Sequence, residues 1–353
     1  MNVTGNWAPM VPLDHQTSQI LPATPQQEGL LGSGWTPKHG TPRPALDPEL
    51  EELLAHARAV SHQHHGARLD LYVPGHTLVN NEKGKYPSIS LTGRACALNC
   101  DHCQTKVLWG MLPATSPEQL VALCQKLDAA GDEGVLLSGG CDRQGRLPWG
   151  RFLTAIAEVH RTTDLYLSVH TGVLDAQMAV GLKEAGVSEA LLDVIGDELT
   201  LRSVYHLDIP VESFDTTMGH IKAAGLRLAP HIVAGLYYGK IRGEYAALEM
   251  IAKHDPDTLI IVGLMPLKES PMEGVAPPLP EEMARLLATA RIRLPKVPIS
   301  LACARPRGTH RWITDSLAVE AGVNRIAIPS DQAIAKAKEL GLDVHLHHGC
   351  CSH

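Results

Sequence analysis

Three cysteines stand close together in Ser90-Leu-Thr-Gly-Arg-Ala-Cys96-Ala-Leu-Asn-Cys100-Asp-His-Cys103, at C-x3-C-x2-C spacing. Thiolates are soft ligands that suit iron–sulfur clusters and zinc, and three on one short loop can reach a single centre. A purely structural [4Fe-4S] cluster takes four cysteines, so a triplet leaves one iron open to an outside ligand. The competing reading is a structural zinc site completed by His102 or a distant histidine. Zinc knuckles and ribbons pair C-x2-C units across a dozen or more residues, a pattern the triplet does not follow.

An open iron suits S-adenosylmethionine (SAM), which can bind it through its amino and carboxylate groups. An electron from the cluster then splits the sulfonium bond and yields a 5′-deoxyadenosyl radical, chemistry that belongs to the cofactor while the protein orients it. Further along, Val135-Leu-Leu-Ser138-Gly139-Gly140 ends an apolar run in small residues, where backbone can approach a ligand closely. Polar groups also close later runs at His170-Thr171, Asp193, His231 and Gly235.

Five cysteines remain. Cys124 lies on the apolar face of a helical stretch and reads as packing. Cys141 follows Gly140, Cys303 ends Ile299-Ser-Leu-Ala-Cys303, and Cys350 and Cys351 lie in His345-Leu-His-His-Gly-Cys-Cys-Ser-His353. Cys141, Cys303 and a returning C-terminus would meet on the active face of a barrel and suit a second [4Fe-4S] cluster. The alternative is a set of separate free thiols, and the spacing does not choose between Cys350 and Cys351.

These residues need a frame. Apolar runs that suit strands fall at 88–91, 134–137, 165–169, 190–195, 226–234, 259–264 and 297–302, with helical periodicity at 117–130, 149–162, 176–185, 213–224, 245–254 and 281–294. Glycine follows several helices, as at Gly131, Gly186 and Gly225. Strands alternating with helices imply an α/β fold of parallel β/α units. Six or seven such units suit a partial or complete (β/α) barrel, with a doubly wound sheet as the alternative. The cysteine triplet follows the first strand of the series, on the loop side that forms the active face of such barrels. Around this core, residues 86–302, lie an N-terminal extension (1–85) and a C-terminal extension (303–353). The former is Pro-, Gly- and Thr-rich and loosely ordered up to about Pro48, then helical over 48–63; the latter has a helix at 331–340 and a His/Cys-rich terminus.

Composition limits the function. The chain has 353 residues, 44% apolar and 20% charged, with a net charge of 31 − 38 = −7. That mild acidity argues against a global nucleic-acid footprint. No apolar run reaches the roughly 20 residues that span a bilayer, and the first residues lack the basic and apolar regions of a secretory signal. A cytoplasmic, reducing setting follows as an expectation, in which clustered thiols point to metal or redox chemistry.

The triplet after a first strand, with the Ser138-Gly139-Gly140 strand end, resembles the radical SAM superfamily over residues 87–264. His102 departs from the aromatic residue usual before the third cysteine, which leaves a metal-ligand role open for its imidazole. The resemblance implies that Cys96, Cys100 and Cys103 hold the SAM cluster. It also implies that Ser138, Gly139 and Gly140 meet SAM, and that His170 and Asp193 contact its ribose and adenine.

The segments His65-Gly-Ala-Arg-Leu-Asp-Leu-Tyr-Val-Pro-Gly75, Tyr86-Pro-Ser-Ile-Ser-Leu-Thr-Gly93 and Ser138-Gly-Gly-Cys-Asp-Arg-Gln-Gly-Arg-Leu-Pro148 resemble the radical SAM subunits of the two-protein lipoyl synthase. The N-terminal cysteine triplet of the single-chain enzyme is absent. This resemblance implies sulfur insertion into an octanoyl group on a lipoyl domain or carrier protein, beside a paralogous subunit and a ferredoxin or flavodoxin donor. The basic stretch Arg305-Pro-Arg307-Gly-Thr-His310-Arg311 could dock such a partner or hold the SAM carboxylate. Other radical SAM reactions (a mutase or carbon–carbon bond formation) and a non-catalytic zinc module are the alternatives.

Overall fold

The computed structural model describes residues 45–79 and 82–353. Most of the predicted N-terminal arm, residues 1–44, lies outside the described residues. No helix among those described is long and apolar enough to cross a membrane.

Helix α1 (Pro48–His65) begins where Asp47 accepts a hydrogen bond from Leu50 N at 2.8 Å and a proline occupies the first turn. This cap satisfies one of the four N–H groups that a helix start leaves without partners. Strand β1 (Arg68–Tyr72) follows, then β2 (Ser88–Ser90), β3 (Leu112–Pro113), β4 (Gly134–Ser138), β5 (Tyr166–His170) and β6 (Glu189–Asp193). The series continues with β7 (Arg227–Ala234), β8 (Leu259–Gly263), β9 (Ile299–Leu301), β10 (Arg325–Ala327) and β11 (Asp343–His347). All eleven join one parallel sheet in the order β11-β1-β10-β9-β8-β7-β6-β5-β4-β2-β3. The sheet curls as a partial barrel. Across its seam Lys85 N, just before β2, donates to His348 O, just after β11, at 2.8 Å.

The alternation of side chains along each strand sorts the core into two parts. Leu191, Ala229, Ile260 and Ala302, with Leu136 and Val262, pack as one cluster within the curl. Their neighbours Val135, Leu137, Ala190, Leu192, Leu228, Ile232 and Ile261 join the larger core under the helices. Those helices are α2 (Pro117–Ala129), α3 (Leu153–Thr162), α4 (Ala176–Glu184), α5 (Glu198–Val204), α6 (Glu212–Ala223), α7 (Glu244–Ile251), α8 (Pro280–Arg293), α9 (Thr309–Glu320) and α10 (Asp331–Glu339). The expected elements between 88 and 302 are present within a few residues, and Cys124 is fully buried in α2 as its apolar setting implies.

The termini depart from expectation. β1, expected as part of an N-terminal extension, is wedged between β10 and β11. The stretch 303–353 supplies α9, β10, α10 and β11 to the same sheet and helix layer. Apolar periodicity hid α9 because its buried face carries Arg311, Thr314, Asp315, Ser316 and Glu320. β11 alternates Val344 and Leu346 with Asp343, His345 and His347, which read as metal-type residues instead of a strand.

After β11 the tail turns into the end of the curl opposite the cysteine loop. Ser352 Oγ donates to Glu189 Oε2 at 2.6 Å, and Arg325 Nη1 donates to the carbonyls of Cys351 and Ser352 at 3.3 and 2.9 Å. The His353 ring stacks on Tyr166 with centroids 4.5 Å apart. Tyr166, Glu189 and Arg325 each open a strand, so the tail covers the N-terminal strand ends.

Candidate active site

The cysteine loop leaves β2 and is pinned to its surroundings at each turn. Leu91 N donates to Ser138 O and Ala97 N to Cys141 O, both at 2.8 Å. Gly140 N donates to Thr92 Oγ1 at 2.7 Å. Asp101 holds the far side: Tyr238 Oη donates to it at 2.5 Å, and His206 Nε2 lies 3.0 Å away. Asn99, Gln104 and Thr105 take positive φ values of 49°, 47° and 60°. Such left-handed non-glycine residues are uncommon and persist only where the surroundings impose them.

Gly140 gives the strand end a different purpose from the one expected. A Cβ there would lie 2.0 Å from Ala95 O and 2.5 Å from Cys96 Cβ. The room a side chain would need is therefore taken by the cysteine loop, which the glycine lets settle onto β4. Ser138 is buried beside it and accepts from Leu91 through its carbonyl.

Cys100 is buried, while Cys96 and Cys103 are half-buried. A hydrogen bond shared by Cys100 and Cys103 lowers the Cys103 thiol below its ordinary range and raises that of Cys100. Three thiols on one pinned loop, two of them in mutual contact, are a donor set that fits three irons of a [4Fe-4S] cluster. Cys96 and Cys141 open onto a cleft of about 490 Å³ lined also by Thr92, Arg94, Asp142 and Arg146.

The four cysteines expected to form a second site are divided. The Cys141 thiol is pushed up to about 12 by burial and then by the charge of Cys96, so it stands with the triplet. Cys303, after β9, is exposed, whereas Cys351 is buried in the tail next to the half-buried Cys350. Cys141 stands apart from the tail: it follows β4, next to β2, at the end of the curl that carries the cysteine loop, whereas Cys350 and Cys351 lie with the tail at the opposite strand ends. His102 packs its ring 5.1 Å from Tyr205, and its buried Nδ1 has no hydrogen-bond partner among the described residues.

His170 and Asp193 end adjacent strands, with His170 Nε2 3.5 Å from Asp193 Oδ1. His231, the register partner of Asp193 on β7, joins them. Burial works to raise the Asp193 carboxyl, but His170 and His231 overcome it and hold it well below the usual carboxylate range. Burial lowers His231 to about 4. For His170 burial is outweighed by Asp193, so its pKa is raised.

The basic stretch is not the docking surface anticipated at Arg305. That side chain is fully buried, with Nε 2.6 Å from Asp315 Oδ1 and further bonds to the carbonyls of Ala302, Ala327 and Ile328. Arg311 is also buried, and Arg307 is exposed.

A cysteine triplet on the loop after β2, seated on the strand-end glycines of a parallel partial barrel, is the arrangement that the resemblance to the radical SAM superfamily implies. No family model matches the chain. Its sequence is similar to Biotin synthase 2 of Polaromonas sp. strain JS666, 25% identical over 250 residues that cover 67% of this chain and 70% of the relative. The Biotin synthase of Hyphomonas neptunium is 26% identical over 319 residues, 85% of this chain and 91% of the relative. Among solved structures, methylornithine synthase shares the fold with a TM-score of 0.60 and 17% identity, over 85% of this chain and 90% of that one. The named relatives are biotin synthases, so the nearer likeness to lipoyl synthase expected from the flanking segments is not found among them.

Proposed function

We propose that this chain is a sulfur-inserting radical SAM enzyme that thiolates an unactivated alkyl carbon. The observation that carries the reading is the pinned loop that gathers Cys96, Cys100 and Cys103 beside Cys141, with the further thiols Cys303 after β9 and Cys350 and Cys351 in the tail available to a second cluster. The similarity to biotin synthases supports the same class of chemistry. A cluster held by Cys96, Cys100 and Cys103 together with SAM would supply the hydrogen-abstracting radical chemistry that such a carbon needs, and a second cluster would supply the sulfur.

The chain's own residues position and enclose. The hydrogen bonds from Leu91, Ala97 and Gly140 hold the triplet over β4, and the small residues Ser138, Gly139 and Gly140 let that loop seat closely on the strand end. Leu191, Ala229, Ile260 and Ala302 give the interior an apolar wall suited to a saturated chain. The finer reading of the substrate is an octanoyl group on an acyl-carrying domain, with a precursor of biotin as the alternative that the relatives support.

An anaerobic assay with SAM and reductant decides, offering an octanoyl-lysine peptide and the sulfur-free precursor of biotin in separate reactions. Sulfur gained by the peptide supports both levels of the proposal. Sulfur gained only by the precursor keeps sulfur insertion and replaces the substrate. Abundant 5′-deoxyadenosine with both compounds unchanged overturns sulfur insertion. A reconstituted chain is expected to hold about eight irons, two clusters of four, and Cys303→Ala or Cys350→Ala to lower that toward four.

A further inference from the structure

We propose that His170, Asp193 and His231 form a mononuclear site for a borderline divalent cation, zinc or ferrous iron, inside the curl close to the cysteine loop. Among the described residues these three bring one ligand atom each to within 4.8 Å of one another. Adjacent parallel strands supply them: His170 ends β5, Asp193 ends β6, and His231 is paired with Asp193 across to β7. Two imidazoles and a carboxylate are the donor set that zinc and non-haem iron take.

The contacts of the three side chains support an ion better than a simple hydrogen-bonded pair. Nδ1 of His231 lies 3.1 Å from Ala229 O, so it carries the proton and Nε2 keeps a free lone pair. Tyr205 Oη donates to Asp193 Oδ2 at 3.3 Å, leaving Oδ1 toward His170. Metal-ligating imidazoles and carboxylates are commonly oriented by such outer partners. The two rings meet edge to face at 77°, centroids 5.6 Å apart, so they converge instead of stacking.

Elsewhere in the chain, His–Asp pairs close directly: His254–Asp215 at 2.7 Å, His345–Asp343 at 2.8 Å and His347–Asp70 at 2.9 Å. The His170–Asp193 pair stays at 3.5 Å, close to the separation of about 3.3 Å that two ligands of a tetrahedral ion require. With three protein ligands, a fourth position is left for water or a substrate oxygen, so a carboxylate or carbonyl group is the ligand class the site would anchor.

This role differs from the ribose and adenine contacts expected of His170 and Asp193, and it does not depend on the sulfur-insertion reading. The test loads the cluster-reconstituted full chain with one equivalent of zinc, desalts it, and records the zinc K-edge fine structure, which iron does not obscure. A first shell of nitrogen and oxygen near about 2.0 Å is expected. A sulfur shell near about 2.3 Å, or loss of the zinc on desalting, overturns the proposal. In parallel, Asp193→Asn and His231→Gln should retain at least tenfold less zinc than the unaltered chain, whereas His254→Gln, on the helix layer beside Asp215, should retain it fully. Equal retention in all of them would also overturn the site, and should the two variants fail to fold, the spectrum of the unaltered chain decides alone.

Discussion

Gly140 shows how a single residue governs the cysteine loop. Its missing side chain is replaced by Ala95 O and Cys96 of the loop itself. Gly140→Ala must therefore push the loop off β4, and overpacking of this kind costs about 1–3 kcal/mol. The expected result is a lower denaturant midpoint together with a clear fall in iron retained after anaerobic reconstitution. Gly150→Ala, whose new Cβ would meet nothing nearer than Met178 Cε at 3.5 Å, should change neither. The triplet itself was legible from spacing, because its residues share one loop. The company that His231 keeps was not: it lies in mid-strand, and only the register of β7 against β6 places it beside Asp193.

Helix α1 is held to α8 through His65, whose Nε2 lies 3.1 Å from Pro295 O and 2.8 Å from Arg291 Nη1. Burial, followed by the Arg291 charge, lowers His65 from 6.5 to about 4. The unfolded chain therefore binds a proton between these values that the folded chain refuses. The stability contributed by neutral His65 is complete above pH 6.5 and is lost as pH falls toward about 4. Urea midpoints measured across that interval should fall less steeply for His65→Gln than for the unaltered chain, and equal slopes would refute the assignment. The helix itself was readable from Leu50, Leu53, Leu54 and Ala57. Its partner was not, since a face shows only that something covers it.

For the molecule as a whole, the tail acts as a plug. Removing residues 349–353 would strip Glu189 of its bond from Ser352 and Arg325 of two carbonyl acceptors. Glu189 keeps Arg227 at 3.6 Å and Arg325 keeps Thr258 Oγ1 at 3.1 Å, so the cost is that of three lost hydrogen bonds to charged groups, and a loss of about 2–4 kcal/mol is expected in denaturant unfolding. Ser352→Ala should show a smaller loss of about 1 kcal/mol. A truncated chain as stable as the full one would mean that the tail lies on the barrel without supporting it.

Spacing along the chain was enough for the thiol triplet, the β/α rhythm and the small residues ending β4, because each of these is a contact or a period within a few residues. What only the tertiary structure decided was which distant groups meet. Cys141 went to the triplet and away from the tail cysteines, Asp193 drew His170 and His231 together, and β1 and β11 completed the sheet from opposite ends of the chain. The reason is physical: strand register and curl are set by many helix faces packing at once, and no local stretch carries that sum.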